Sequence, residues 1–167
     1  MERLTPQRII RASFATEESV YGVILVAGLI VVSGSHGATA ISVFWTVLIT
    51  VVVFWLAHLY AGTVAGHGIA EGEVVGLGDA FFAAFRHSLG LLFSAAIPCL
   101  ILLFGATDVI NDTVTIWLAL WTCVAVLAVL GFIAFTRRHA PWYMRIIGAI
   151  TTAGFGLVMI VAKAFVH

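Results

Sequence analysis

The stretch that decides the fold is AISVFWTVLITVVVFWLAHLYAGTVA, residues 40–65. It contains no Asp, Glu, Lys or Arg, and it is longer than the roughly 20 residues that an α-helix needs to cross the hydrocarbon of a bilayer. Trp45 lies near one end and Tyr60 near the other, as in the aromatic belts where helices meet the membrane surface. The stretch therefore predicts a transmembrane helix.

The composition extends this prediction to the whole chain. Hydrophobic residues make up 62% of the sequence and charged residues 10%, with a mean hydropathy of +1.15. Soluble domains have about 45–50% apolar and about 25% charged residues. We therefore predict an all-α, polytopic membrane protein in which residues 1–167 form a single helical bundle. Its five transmembrane helices are expected at about 18–34, 40–65, 87–107, 113–136 and 145–163.

The basic residues predict how the chain is threaded through the membrane. Five crossings place seven of the eight basic residues on one side and leave only Lys163 on the other. Because short cytoplasmic loops are rich in Lys and Arg, the N-terminus is expected in the cytoplasm and the C-terminus outside, in a multi-pass protein of the plasma (inner) membrane. A cleavable signal peptide is the alternative for the first span, but Glu17 and Glu18 directly before its apolar run favour a retained helix. The seven residues are Arg3, Arg8, Arg11, Arg86, Arg137, Arg138 and Arg145.

Two function classes are disfavoured by the sequence. The net charge is zero and the basic residues form no stripe, so nucleic acid is not an expected partner. A glycine-rich phosphate loop, a His-Glu-x-x-His motif and a nucleophile elbow are all missing, so we do not expect an enzyme. Cys99 and Cys123 lie inside apolar stretches and are expected to be buried thiols. No firm cofactor is predicted, and a divalent transition metal enters only as a candidate substrate.

Ionisable side chains at membrane depth are the best indicators of function in such a chain. Each costs about 2.5–3.5 kcal/mol on insertion scales, so each is a candidate functional residue. Glu17, Glu18 and Tyr21 lie at the cytoplasmic end of the first span, and His58 lies at the same end of the second. Carboxylates beside imidazoles suit a divalent metal or proton exchange, so these four residues are predicted to line a transport path. The plainer interpretation is that the two glutamates form a solvated helix start paired with arginines and that His58 bonds a backbone carbonyl.

Residues 67–87 join the second and third spans. Their glycines predict a loop, with Asp79 as the cap of a helix that continues into the third span. Within the loop, His67, Glu71 and Glu73 have the spacing His-x-x-x-Glu-x-Glu, which is a weak metal-site pattern; a solvated loop is the alternative. The candidate metal ligands are therefore Glu18, His58, His67, Glu71 and Glu73.

Three local patterns predict details of the bundle. Thr5-Pro6 indicates the start of a short amphipathic helix on the membrane surface, ahead of the first span. Asp112 or Thr113 is expected to cap the fourth span. Small residues in the fifth span predict close contact with another helix. They are Gly148, Thr152, Gly154 and Gly156.

The layout of the chain resembles the vacuolar iron transporter family, the CCC-type iron and manganese transporters. The shared features are five spans, a cytoplasmic insertion between the second and third, a proline in the third and a glycine-rich fifth. The segment RASFATEESVYGVILVAGLI, from Arg11, is similar to that family's opening segment, with Gly22 and Gly28 matching its glycines. The resemblance implies a dimer that exchanges a divalent metal for protons. Tyr21 stands where the family has Asp, and the second span has no Met, so no family ligand carries over by position and Glu18 is the nearest substitute.

Two functions are consistent with these observations. The first is a small-cation transporter similar to the vacuolar iron transporters, carrying a divalent metal or protons and working as a homodimer through its first two helices. The second is a non-transporting accessory or structural subunit of a larger membrane complex, which presents its aromatic and small-residue surfaces to another chain. The lipid bilayer surrounds the protein in both cases.

Overall fold

The computed structural model describes residues 6–34, 37–70, 73–105, 107, 110–138 and 140–166. Helices and strands follow one another as α1 (Pro6–Ser33), α2 (Ala40–Gly66), β1 (Gly68–Ala70), β2 (Glu73–Val75), α3 (Leu77–Gly105), α4 (Asp112–Arg137) and α5 (Trp142–Val166). Four helices in the described part of the chain, α2 to α5, are long and apolar enough to cross a membrane. The prediction of an all-α chain with several membrane-capable helices is confirmed.

The N-terminal helix differs from the sequence prediction. Instead of a short surface helix followed by a separate span, α1 runs without interruption from Pro6 to Ser33. The physical reason is that residues 7–21 contain neither Pro nor Gly, so nothing in the backbone ends the helix before the apolar stretch begins. Pro6 itself occupies the first position, where its missing N–H costs nothing.

The segment between α2 and α3 is more ordered than the loop that was predicted. Gly68–Ala70 and Glu73–Val75 pair as an antiparallel hairpin, and α3 begins directly afterwards at Leu77. Asp79 therefore lies in the first turn of α3 and is not its cap. The glycine content had suggested an irregular loop. The β-branched residues Ile69, Val74 and Val75 instead favour an extended conformation.

Contacts at the helix ends show that the helices alternate in direction. Lys163 near the end of α5 donates a hydrogen bond to the Gly34 carbonyl just beyond α1. The Ala40 N–H at the start of α2 bonds Asp112 at the start of α4. The opposite end of the bundle holds the start of the apolar part of α1, the end of α2 and the beginning of α3, where Glu18 meets His58 and His87.

The core is a layer of aliphatic side chains between the first four helices. Its positions on α2 recur every three or four residues, so one stripe of that helix is buried and its other apolar faces point outwards. Those outward faces are what a helix surrounded by lipid requires. The central residues of the core include Val23, Val26, Ile30, Val43, Val47, Val51, Leu91, Leu102, Leu120 and Leu127.

Small residues bring α4 and α5 close together, as their spacing predicted. A Cβ added at Gly148 would collide with the ring of Phe135, and one added at Gly156 would lie 2.9 Å from a methyl carbon of Val124. Thr152 donates to the Leu127 carbonyl of α4 at 2.8 Å. The prediction is wrong for Gly154, because a Cβ there would have no neighbour within 4 Å.

The start of α4 is capped by a residue that was not predicted. Asn111 accepts a hydrogen bond from the N–H of Thr113 at 2.9 Å, so Asn111 is the cap. Asp112 is used elsewhere, since its Oδ1 accepts the N–H of Ala40 at 2.8 Å. The Asp112 carboxylate lies at the N-termini of both α2 and α4, where its negative charge also complements the two helix dipoles.

Replacing Asp112 tests this link between α2 and α4. Asp112→Ala leaves the N–H of the fully buried Ala40 without its partner, so we expect the free energy of unfolding to fall by about 1–3 kcal/mol. Asp112→Asn keeps an oxygen acceptor and should retain most of the stability. Unfolding of the detergent-solubilised protein by added denaturing detergent measures both. Equal stability of Asp112→Ala and the parent chain would show that the bond contributes nothing.

Candidate functional site

A cavity of about 660 Å³ lies between α1 and α2, with α3 as its floor. The residues from α2 are four apart along the chain and share one helical face. Those from α3 likewise fall on one face, which begins in the first turn of that helix. The lining of the cavity consists of Glu17, Glu18 and Tyr21 from α1, Phe54, His58, Gly62 and Gly66 from α2, and Val75, Asp79, Ala80, Ala83, Ala84, His87 and Leu91 from the hairpin and α3.

Small residues determine which side chains meet in this cavity. A Cβ added at Gly62 would lie 3.1 Å from the Cβ of Ala84, and one added at Gly66 would lie 3.5 Å from the Cβ of Ala80. Without side chains of their own, these glycines let α2 pack closely against α3. This approach sets the next turn of each helix, which carries His58 on α2 and His87 on α3, side by side.

Glu18 is the centre of the site. Its Oε1 lies 2.8 Å from Nε2 of His58 and is also in hydrogen-bond contact with Nδ1 of His87. With a proton on each of these nitrogens, both imidazoles donate to the same carboxylate oxygen. The Glu18 side chain is only 10% exposed, and its other oxygen, Oε2, is buried with no hydrogen-bond partner in the described part of the chain.

All four residues predicted to line a transport path do line this cavity. Glu18 and His58 are in direct contact, while Glu17 and Tyr21 are exposed at the rim. The plainer interpretation of His58, a bond to a backbone carbonyl, is wrong, because its Nε2 faces Glu18. The sequence did not single out His87, which lay at the boundary between residues 67–87 and the predicted third span. On α3, its spacing from Ala80, Ala84 and Leu91 places it on the cavity face.

Of the candidate metal ligands in the hairpin, His67 is bonded within the hairpin itself. Nδ1 of His67 lies 3.1 Å from the backbone oxygen of Val75 and so closes the hairpin. Glu73 pairs through its backbone with Ala70, and Glu71 lies outside the described residues. The described residues contain no group of three or more His, Cys, Asp or Glu side chains placed to hold a metal ion. Around Glu18, Nε2 of His58 and Nδ1 of His87 both bond the same carboxylate oxygen.

The described charged side chains around the cavity are of one sign. Glu17, Glu18 and Asp79 line it, and none of the Lys or Arg side chains that the structure describes does. Arg86, which precedes His87 in the chain, is exposed and does not line the cavity. With neutral imidazoles the cavity is therefore negative and attracts cations.

A second buried ionisable group lies at the other end of the bundle. Lys163 was predicted as the single basic residue on its side of the membrane, and its side chain is fully buried. Its Nζ donates to the Gly34 carbonyl at 3.0 Å and lies 5.9 Å from the centre of the Trp117 ring. A cation beside the last carbonyls of α1 complements the helix dipole. Cys99 and Cys123 are free, buried thiols, as predicted.

No family model, curated protein or solved structure matches the chain. The resemblance to the vacuolar iron transporters therefore stays a prediction, and the function has to be inferred from the cavity around Glu18.

Proposed function

We propose that this protein is a five-span transporter of the plasma (inner) membrane that exchanges a small cation for protons at Glu18, His58 and His87, and that it works as a homodimer. The observation that carries the proposal is a buried carboxylate bonded by two imidazoles in the wall of a negatively charged cavity. A carboxylate at this depth is costly to maintain, so its presence calls for a role. Neither an enzyme nor a nucleic-acid partner is part of the proposal.

The chemistry of exchange follows from the shared carboxylate oxygen. Each imidazole has a second nitrogen that can take up a proton, so the cluster can hold protons as well as a cation. A cation close to Glu18 repels a proton on either His58 or His87, and a proton there repels the cation. Binding of the cation therefore releases a proton to water, and binding of a proton releases the cation. The transport of the cation is thereby coupled to the transport of protons.

The proposed threading has support in the first helix. Val23, Val26 and Ile30 of α1 are fully buried in the same core as residues of the membrane-capable helices α2, α3 and α4, so α1 belongs to the bundle and serves as the fifth span. With the helices alternating in direction, the predicted excess of arginine puts the cavity end in the cytoplasm. The cavity lies between α1 and α2, which are also the helices proposed to form the dimer.

Cysteine labelling tests the threading. Thr107→Cys, between α3 and α4, should react with a membrane-impermeant maleimide on intact cells, because this exposed position is proposed to face outwards. Gly78→Cys at the start of α3, where a Cβ meets no neighbour, should react only after the cells are permeabilised. The buried Cys99 and Cys123 make the parent chain the background control. The reverse labelling pattern would invert the proposed orientation.

Proton flux in proteoliposomes tests the function. Liposomes with an internal pH dye are exposed in turn to gradients of Mn²⁺, Fe²⁺, Na⁺, K⁺ and an organic ammonium ion. At least one gradient should drive protons in the opposite direction, and Glu18→Gln should reduce this flux to the level of protein-free liposomes. His67→Ala, which removes a ring that bonds the Val75 carbonyl in the hairpin, should keep most of it. If no gradient moved protons, the accessory-subunit alternative would replace the transporter.

A further inference from the structure

We infer that the cation taken by this cavity is organic, a single ammonium charge on an apolar body, and not a bare metal ion. The inference rests on the proposed function, because it names the substrate class of the same site. It comes from the volume of the cavity, the character of its walls and the unpaired oxygen of Glu18.

The volume is that of a site for an organic molecule. Pockets for small organic ligands measure about 300–1,000 Å³, and the cavity of about 660 Å³ falls within this range. A water molecule takes about 30 Å³ of liquid volume. A bare metal ion would leave most of the cavity to be filled by water against apolar walls.

The walls are apolar, and the polar groups are few. Tyr21 on α1 and Phe54 on α2 supply aromatic surface, and Leu91 with three alanines supplies aliphatic surface from α3. Aromatic rings stabilise an ammonium group through their faces, and alanines leave room for its carbon skeleton. A few placed polar groups in an otherwise apolar pocket are the usual design of a site that orients an organic ligand.

One oxygen of the Glu18 carboxylate lacks a donor among the described residues. Oε1 already accepts both imidazoles, whereas Oε2 is buried. A buried acceptor without a donor is costly, and turning the carboxylate so that Oε2 meets an ammonium N–H in the cavity would remove that cost while neutralising the charge. A metal ion needs several converging ligands, and the described side chains offer no such group.

Binding to the purified full chain in detergent tests the inference. The probe is 2-phenylethylammonium, and its neutral analogue 2-phenylethanol has the same apolar body and a donor but no charge. We expect saturable binding of the ammonium ion and at least about tenfold weaker binding of the alcohol, since a hydrogen bond to a charged group has this value. Glu18→Gln should reduce ammonium binding to the level of the alcohol. Equal binding of both probes would overturn the inference, because it would indicate simple partition into an apolar space.

A second variant tests whether the ammonium ion occupies the cavity, without changing any charge of the protein. Ala83→Leu adds carbon atoms to the cavity from an exposed position on α3 and leaves all charges in place, so it should weaken ammonium binding about tenfold. Ala96→Leu makes the same change at an exposed position of α3 outside the cavity and should have no effect. Unchanged binding in Ala83→Leu would show that the ammonium ion binds elsewhere.

The two proposals can fail separately. Proton flux driven by Mn²⁺ but not by 2-phenylethylammonium, and lost in Glu18→Gln, would overturn the organic substrate and keep the transporter. Saturable ammonium binding that depends on Glu18, without cation-driven proton flux of any kind, would overturn transport and keep the organic cation site.

Discussion

Gly131→Ala is expected to destabilise the protein by about 3 kcal/mol, at the upper end of what overpacking costs in a well-packed core. A Cβ at this position of α4 would collide with the hydroxyl of Thr152 and would lie 2.5 Å from the Gly148 carbonyl oxygen of α5. The backbone of α5 cannot yield without moving the whole helix. The collision also displaces the Thr152 hydroxyl, which bonds the Leu127 carbonyl across the same crossing.

The matched control for this substitution is Gly154→Ala. It makes the same chemical change on α5, at a position where a Cβ meets nothing within 4 Å. Alanine is the better helix former by up to about 1 kcal/mol, so Gly154→Ala should be neutral or stabilising. Unfolding of both variants in detergent, side by side with the parent chain, measures the difference. Equal stability of the two variants would mean that α4 and α5 do not cross at Gly131.

Removing both imidazoles from Glu18 is expected to have the second large effect. In His58→Phe combined with His87→Phe, a largely buried carboxylate loses the two donors on its Oε1 while rings of similar size keep water out. An uncompensated buried charge costs about 3–5 kcal/mol, so the double variant should lose that much stability. Each single variant keeps one donor and should lose much less than half of it. Proton flux should disappear in the double variant.

Adding Glu18→Leu to the double variant shows whether the loss of stability comes from the unpaired Glu18 carboxylate. Without a charge to satisfy, the triple variant should recover most of the stability but none of the flux. His67→Ala is the histidine control, because its ring bonds the Val75 carbonyl in the hairpin and does not contact Glu18. Strictly additive single effects, or no recovery in the triple variant, would contradict a shared role of the two imidazoles at Glu18.

The residues of the site show how far the sequence prediction reached. Glu18 and His58 were grouped because both are ionisable and lie at the same end of neighbouring apolar stretches, and they are in contact. His87 was missed because it lay at the boundary of the predicted third span, and only the packing of α3 against α1 brings its ring to Glu18. His67 was grouped with the metal candidates by spacing alone, but the hairpin turns its ring towards Val75.

Local properties of the chain were sufficient for its architecture. The length and hydropathy of its apolar stretches by themselves determined an all-α chain with long membrane-capable helices, because a backbone in lipid must satisfy its hydrogen bonds within each helix. The positions of the small residues determined where helices could approach one another.

Only the tertiary structure decided which of these positions are used. Gly131 and Gly148 meet at a crossing while Gly154 faces open space, because the rotation of each helix about its own axis depends on all its neighbours at once. For the same reason, Asp112 serves α2 instead of capping α4. The contact of two imidazoles with one oxygen of Glu18 requires α1, α2 and α3 to be packed together, and no segment of the sequence specifies it alone.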